Sequence, residues 1–258
     1  MAEERIFSAR TYYLNCSADW MILVHGFGGS ARTWKKQIRF FSEHYNLLVL
    51  EMHKLQSNDE LDLDEICRLI KNTMDHYGIE KAHILSFSFS SLICLRFAIL
   101  YPGKVKSLIM GGGILTFNLK TKLLLYIAIT FKRTANYMIL YKFFAYVIMP
   151  KKKHKRSRSI FVNEAKKLGH DEFCKWLDVI PQTLKSLTWL DELDDKINVL
   201  CVSGSEDYLF LKDTLKYSKR IKNSLVEVID DCGHVCSIEG HDKFNNIVFR
   251  YLESNKVL

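Results

Sequence analysis

The chain has 258 residues, which is long enough for one large domain with a sizeable hydrophobic core. Hydrophobic residues make up 48% of the sequence, a share that excludes an intrinsically disordered protein. The first residues are charged and no run of 18 apolar residues occurs, so neither a secretory signal nor a membrane span is expected.

The chain contains seven cysteines, and an odd number argues against a disulfide framework. We therefore expect reduced thiols and a cytoplasmic protein. Cys232 and Cys236 flank His234, and this spacing raises the possibility of a metal site. Zinc sites normally need a second pair of ligands, and none is visible in the sequence. We predict buried thiols and no metal.

Short apolar runs alternate with amphipathic segments over the first 110 residues. The predicted strands are Trp20–His25, Asn46–Glu51, Ala82–Ser86 and Val105–Met110, and the predicted helices are Thr33–His44, Leu61–Tyr77 and Ser91–Tyr101. Gly78 and Pro102 directly follow two of these helices and end them. Strands that alternate with helices predict a mostly parallel sheet with helices on both faces.

The alternation stops in the middle of the chain. Residues 115–187 read as helices only, with many Tyr, Phe, Leu and Ile side chains. It resumes with the strands Ile197–Val202 and Leu225–Ile229 and with helices near Lys212–Arg220 and Asp242–Glu253. The predicted fold is therefore an α/β core made of residues 1–114 and 188–258, interrupted by a helical insertion.

Ligands of open α/β sheets bind beyond the carboxyl ends of the strands, and four loops at that edge carry notable residues. The four loops are the glycine-rich turn His25–Ser30, the serine-rich stretch Leu85–Ser91, Ser203–Asp207 and Asp230–His234. The glycine-rich turn lacks the spacing of a dinucleotide-binding fingerprint. Three of the loops supply, in chain order, a serine, an acid and a histidine, each just past the end of a strand.

The stretch Leu85–Ser91 reads Leu-Ser-Phe-Ser-Phe-Ser-Ser between a strand and a helix. A side chain at the apex of such a tight turn lies at a helix N-terminus, which favours negative charge. The turn needs small residues two positions before and two after its apex. Among the three candidates only Ser88 meets this condition, because Ser86 and Ser90 flank it.

These motifs together resemble the α/β-hydrolase family. The matching stretches are Leu23–Gly29, Ser86–Ser90, Tyr101–Val105, Gly204–Asp207 and Gly233–His234, within a similarity that spans Trp20 to Leu252. The resemblance implies Ser88 as nucleophile, Asp207 as acid and His234 as base. It also implies an oxyanion hole made by the backbone N–H groups of Phe27 and Phe89, and no cofactor. Glu206 is the nearest alternative for the acid.

Two departures from the family pattern affect this interpretation. The family elbow usually has glycine where Ser86 and Ser90 stand, and this leaves a catalytically inactive binding protein as an alternative. The stretch Glu51–Ser57 lacks the glycines that the family often has after its second strand. That loop shapes the site, so this departure bears on the substrate and not on the mechanism.

The resemblance implies a serine hydrolase, and we expect a carboxylic ester or thioester with an apolar acyl group as its substrate. The apolar stretches Thr121–Thr130 and Tyr137–Met149 belong to the insertion, which corresponds to the family's cap and would supply an apolar pocket. The alternative enzyme is a C–C hydrolase or lyase of the menaquinone-pathway type that acts on an anionic substrate.

The positive charge is unevenly distributed. No Asp or Glu occurs from Lys81 to Asn163, and Lys151–Arg158 is a run of basic residues. A block of one sign attracts anionic partners, although a solvated basic loop has the same composition. The predicted partners of the basic cap, residues 120–158, are an acidic acyl carrier protein or an anionic membrane surface, and no nucleic acid is expected.

Overall fold

A seven-stranded sheet forms the centre of the protein in a computed structural model, which describes residues 5–53 and 61–255. The strands are β1 (Ser8–Tyr12), β2 (Trp20–Val24), β3 (Asn46–Glu51), β4 (Ala82–Phe87), β5 (Val105–Gly111), β6 (Asn198–Gly204) and β7 (Ser224–Ile229). Their order is β1-β3-β2-β4-β5-β6-β7, and every pair is parallel except β1 with β3. The mostly parallel sheet is thus confirmed, while β1 was not predicted.

Eleven α-helices connect or cover the strands within the described residues. They are α1 (Lys35–Phe41), α2 (Leu63–His76), α3 (Ser90–Leu100), α4 (Leu119–Phe131), α5 (Tyr137–Ile148), α6 (Lys155–Ala165), α7 (His170–Val179), α8 (Ser186–Trp189), α9 (Leu211–Tyr217), α10 (Cys236–Glu239) and α11 (His241–Ser254). The predicted first helix is divided, because Ala31–Trp34 forms a 3₁₀ turn before α1. Residues 54–57 of the predicted site loop Glu51–Ser57 lie outside the described residues.

Both faces of the sheet are buried because side chains alternate along each strand. Ile22 and Leu48 point to a cluster that includes residues of α2 and α3. Leu23 and Val49 point to the opposite cluster, which includes residues of α1 and α11. All four side chains are fully buried. Because β2 to β7 run parallel, their carboxyl ends lie at one edge of the sheet, where the loops that follow them meet.

The segment between β5 and β6 contains helices α4 to α8 and no strand. Four of these helices contribute to a third hydrophobic cluster, centred on Leu125, Tyr141, Ala165 and Phe173. The short helix α8 spans the predicted boundary at 187, and Trp189 packs in the cluster beneath α3. Within the described residues, no helix is both long and apolar enough to cross a membrane.

Candidate active site

Ser88 occupies a sharp turn between β4 and α3. Its φ angle is +54°, in the left-handed region that non-glycine residues rarely adopt. The Ser88 N–H donates a hydrogen bond to the carbonyl oxygen of Gly111 on the neighbouring strand (2.9 Å), and α3 begins two residues later. The strained turn is held by the sheet and presents the Ser88 hydroxyl at the N-terminal end of the helix.

The serines that replace the family's glycines fit this turn. Ser86 is fully buried, and its hydroxyl donates to the carbonyl oxygen of Ile109 (2.9 Å). Ser90 Oγ accepts a hydrogen bond from the Phe87 N–H (2.9 Å) and lies 2.8 Å from the carbonyl oxygen of Val24. Both hydroxyls therefore have backbone partners, so their burial leaves no unpaired polar group.

The three residues that the resemblance implied as a triad form one chain of hydrogen bonds. His234 Nε2 lies 2.8 Å from Ser88 Oγ, and His234 Nδ1 lies 2.7 Å from Asp207 Oδ2. Asp207 accepts the Nδ1–H, so Nε2 has the free lone pair that can accept the Ser88 proton. Asp207 and His234 are 2% and 1% exposed, so water does not compete for these bonds.

The carboxylate of Asp207 is also held from its other side. Its Oδ1 accepts a hydrogen bond from the Phe210 N–H (3.2 Å), at the start of α9. Asp207 follows β6 and His234 follows β7, which are adjacent parallel strands. Their pairing brings together two residues that are 27 positions apart in the sequence.

Glu206, the alternative acid, forms no hydrogen bond or ion pair with His234, whose ring nitrogens bond to Asp207 and Ser88. Its Oε1 lies 2.7 Å from both Lys151 Nζ and Lys153 Nζ, and its Oε2 lies 2.9 Å from Nε2 of the buried His154. Hydrogen bonds from Lys151 and Lys153 lower the pKa of Glu206 to about 2. Glu206 therefore ties the basic run of the insertion to the loop that carries Asp207.

The glycine-rich turn places Phe27 beside Ser88. A Cβ atom on Gly26 would lie 2.9 Å from the Phe87 carbonyl oxygen, so only glycine allows this close approach of the two loops. Within residues 5–53 and 61–255, neither the Phe27 N–H nor the Phe89 N–H donates a hydrogen bond to a protein acceptor. Both N–H groups are therefore free to bind another acceptor, which an oxyanion hole at these residues would require.

His25 stabilises the same turn. It is buried, and its Nε2 accepts a hydrogen bond from the Met52 N–H (3.1 Å). Its Nδ1 therefore carries the proton and donates to the carbonyl oxygen of Gly26 (3.0 Å). Burial lowers the pKa of His25, which keeps the ring neutral. Both ring nitrogens are thus used by the backbone, and His25 has no nitrogen free to act as a base.

A family model described as alpha/beta hydrolase fold matches residues 19–241. The chain belongs to the α/β-hydrolase fold family. The match covers the glycine-rich turn, the serine elbow, and the loops that carry Asp207 and His234. The resemblance inferred from the motifs is therefore confirmed.

Two curated relatives are hydrolases from Comamonas testosteroni. The 2-hydroxy-6-oxononadienedioate/2-hydroxy-6-oxononatrienedioate hydrolase is 25% identical over 90% of this chain and 87% of its own length. The 2-hydroxy-6-oxo-6-phenylhexa-2,4-dienoate hydrolase is 31% identical, but only over 36% of each protein. Among solved structures, the enol-lactonase from Burkholderia xenovorans LB400 has a TM-score of 0.81 at 14% identity, over 96% of both chains. The structural likeness shows a shared fold.

An apolar pocket of about 140 Å³ opens beside Ser88 in this α/β-hydrolase-fold protein. Its walls come from the core (Phe27, Phe89, Ile114, Leu209, Phe210) and from the insertion (Phe117, Thr121, Leu124, Leu125, Ala128, Tyr141, Phe144, Ile148, Phe161, Phe173, Leu177, Ile180). None of these side chains is charged. The pocket therefore suits a neutral apolar group next to the nucleophile.

Tyr141, on α5 of the insertion, contacts the turn that carries Phe27. Its hydroxyl donates a hydrogen bond to the Phe27 carbonyl oxygen (3.0 Å), and its ring stacks on the Phe27 ring with centroids 6.2 Å apart. Tyr141 is only 3% exposed, and burial raises its pKa well above the usual value. The phenol therefore stays protonated and able to donate. Sequence analysis missed this residue because no motif marks it.

We expect Tyr141→Phe to lower kcat for an ester substrate about tenfold, with KM changed less than twofold. The substitution removes one buried hydrogen bond, worth about 1 kcal/mol, and keeps the ring in place. A loosened Phe27 peptide would stabilise the oxyanion less well, while the walls of the pocket stay unchanged. The measurement is steady-state kinetics together with a thermal melt.

Tyr137→Phe is the matched control for this prediction. Tyr137 lies on the same helix, and its hydroxyl donates to the Lys166 carbonyl oxygen (3.3 Å), away from Phe27. Its kcat should equal that of the wild type. An unchanged kcat in Tyr141→Phe, or an equal fall in both variants, would contradict a positioning role for Tyr141.

Proposed function

We propose that this protein is a serine hydrolase that cleaves a carboxylic ester or thioester with an apolar acyl group. The observation that carries the proposal is the hydrogen-bonded chain from Ser88 through His234 to Asp207, which opens on a pocket without charged side chains. A serine hydroxyl is a weak nucleophile until a base accepts its proton, and His234 is in position to do so.

The proposed reaction has two halves. Ser88 Oγ attacks the acyl carbonyl carbon while His234 Nε2 takes the hydroxyl proton, and the alcohol or thiol then leaves with that proton. His234 next takes a proton from water, and the resulting hydroxide attacks the acyl-enzyme; the bond to Ser88 Oγ breaks, His234 returns the proton to Oγ, and the carboxylic acid is released. Asp207 holds the imidazole in the correct tautomer throughout. The N–H groups of Phe27 and Phe89 would stabilise each oxyanion by about 3 kcal/mol apiece.

The insertion, residues 115–187, is proposed as the cap of the two-part core 1–114 and 188–258. Support comes from its contacts with the catalytic loops. Tyr141 bonds to the turn of Phe27, and Ser30 at the end of that turn donates a hydrogen bond to Glu164 on α6 (2.7 Å). Lys151 and His154 bond to Glu206, next to Asp207. The cap and the site are therefore linked on two sides.

A C–C hydrolase is the second candidate function, because the names of both Comamonas testosteroni relatives describe cleavage of dienoate or dienedioate compounds. Such compounds carry carboxylate groups. A buried carboxylate needs a cation or several hydrogen-bond donors, and the pocket beside Ser88 has no charged lining residue. This contrast favours a neutral ester over an anionic substrate. The other alternative, an inactive binding protein, is disfavoured by the intact hydrogen bonds from Ser88 through His234 to Asp207.

The size and polarity of the pocket predict the preference among p-nitrophenyl esters. Each methylene buried adds about 0.8 kcal/mol, or roughly fourfold, so kcat/KM should rise about 15-fold from acetate to butyrate, which differ by two methylenes. The rise should level off near hexanoate, since a cavity of about 150 Å³ holds a group the size of benzene. The measurement is initial rates over a series of chain lengths.

The mono-p-nitrophenyl ester of succinic acid is the matched anionic control, because it differs from the butyrate ester mainly by a terminal carboxylate. We expect kcat/KM at least about 100-fold lower for this ester. Equal turnover of the two esters, or turnover of a dienoate C–C substrate without ester turnover, would refute the proposed substrate class. If no substrate reacts, labelling of Ser88 by a fluorophosphonate separates a selective enzyme from an inactive one.

A further inference from the structure

The outer faces of α4 and α5 expose an unusual amount of apolar surface. Seven of the fourteen large hydrophobic side chains that are exposed in the described residues lie on these two helices. They are Leu119, Leu123, Tyr126 and Phe131 on α4, and Ile139, Phe143 and Tyr146 on α5. Leu119 is 84% exposed, and Tyr126 and Ile139 are each more than 60% exposed. Exposed apolar side chains concentrated on two consecutive helices are typical of contact surfaces.

The two helices carry the same pattern on these faces. An aliphatic residue is followed by lysine at the third position, an apolar residue at the fourth and tyrosine at the seventh. The residues are Leu119, Lys122, Leu123 and Tyr126 on α4, and Ile139, Lys142, Phe143 and Tyr146 on α5. This spacing places all four side chains on one face of a helix. We call these eight residues and Lys120 the outer face.

The inner faces of the same helices belong to the pocket. Leu125 and Ala128 of α4 and Tyr141 of α5 line it, and all three join the hydrophobic cluster of the insertion. The connection between the helices is only five residues long, 132–136. The outer face is therefore the solvent side of two helices whose other side surrounds the acyl pocket.

The charge of the outer face is positive and unneutralised. Lys120, Lys122 and Lys142 are exposed and form no ion pair within the described part of the chain. The basic run is partly neutralised, because Lys151 and Lys153 are paired with Glu206. Three lysines without an ion pair therefore lie among the exposed apolar side chains of α4 and α5.

We propose that the outer face docks on an anionic lipid surface. Aliphatic and aromatic tips would enter the boundary of the acyl chains, while the lysines extend to the phosphates and the tyrosines lie at headgroup depth. An acidic protein would pair the lysines but would need a matching apolar groove for both helices. Docking does not depend on hydrolysis; delivery of an ester from the lipid into the pocket rests on the proposed function.

Sedimentation of the full chain with vesicles tests this proposal. We expect binding to phosphatidylcholine vesicles with 30% phosphatidylglycerol to be at least tenfold tighter than to pure phosphatidylcholine, and to weaken with salt. Lys122→Gln/Lys142→Gln should weaken it about 25-fold, since each lysine contributes about fivefold. Leu123→Ser/Phe143→Ser should weaken it at least tenfold.

Lys35→Gln/Lys36→Gln on α1 is the matched control, because both lysines are exposed and lie outside the insertion; it should bind like the wild type. Thermal melts check that every variant is folded. Ser88→Ala should bind fully, so loss of the proposed hydrolysis and loss of docking are separable. The proposal is overturned by any of three results: no binding to anionic vesicles, equal loss in the control, or capture of an acyl carrier protein or a second copy of the chain in place of vesicles.

Discussion

Ser88→Ala is expected to lower kcat for p-nitrophenyl butyrate by at least about 10⁴-fold. Without Oγ no acyl-enzyme can form, and the hydrogen bond to His234 Nε2 is lost with it. The fold should persist, because alanine is small and the turn is held by the Ser88 N–H bond to Gly111. The residual rate would come from the oxyanion donors and from binding alone. Kinetics at saturating substrate measure the fall in kcat, and a thermal melt measures whether the fold persists.

The neighbouring serines provide the controls. Ser86→Ala and Ser90→Ala each remove a hydroxyl that bonds only to backbone groups and to Ser91 within the described residues, not to His234. We expect activity within tenfold of the wild type and stability lowered by about 1 kcal/mol. A fluorophosphonate should add one label per chain to both variants and none to Ser88→Ala. If the Ser88→Ala variant retains activity, Ser88 is excluded as the nucleophile.

The sheet could be predicted from the sequence because its parallel strands are buried on both faces and read as continuous apolar runs. The strand β1, Ser8–Tyr12, shows no such run, since its residues are exposed or half-buried. Only its antiparallel pairing with β3 makes it a strand, and pairing cannot be read from a local pattern. The first helix was predicted to begin at Thr33, but that residue belongs to the 3₁₀ turn Ala31–Trp34, which Ser30 caps.

The chain order of Ser88, Asp207 and His234 could be read because each residue lies in the turn or loop that follows a strand, and parallel strands end at one edge. Tyr141 could not be found in this way. Its partner Phe27 lies 114 residues earlier, and only the packing of α5 against the glycine-rich turn brings the two together. The sequence also left two interpretations of the basic run open, a binding surface and a solvated loop. The pairing of Lys151 and Lys153 with Glu206 depends on how the insertion packs, which no local pattern shows.

Asp207→Asn is expected to lower kcat about 10⁴-fold while KM changes little. The Asp207 carboxylate accepts the Nδ1–H of His234, and an amide can place its NH₂ group there instead. The ring would then carry its proton on Nε2, which faces Ser88, and could no longer accept the serine proton. The Phe210 N–H can still bond to the remaining amide oxygen, so the loop keeps its position. Pre-steady-state kinetics should show that acyl-enzyme formation is the slowed step.

Glu206→Gln tests whether Glu206 has a structural role while the adjacent Asp207 is the catalytic acid. Glutamine keeps the size of Glu206 but loses the charge that pairs with Lys151 and Lys153, so the link between the insertion and the Asp207 loop should weaken. We expect kcat within fivefold of the wild type and a lower melting temperature that salt shifts less, because ion pairs are screened. If Glu206→Gln loses 10⁴-fold and Asp207→Asn does not, the acid is Glu206 and the hydrogen bond to His234 Nδ1 has another role. With the expected results, the two adjacent carboxylates have different roles. Asp207 orients the base, and Glu206 holds the helices that enclose the pocket in position.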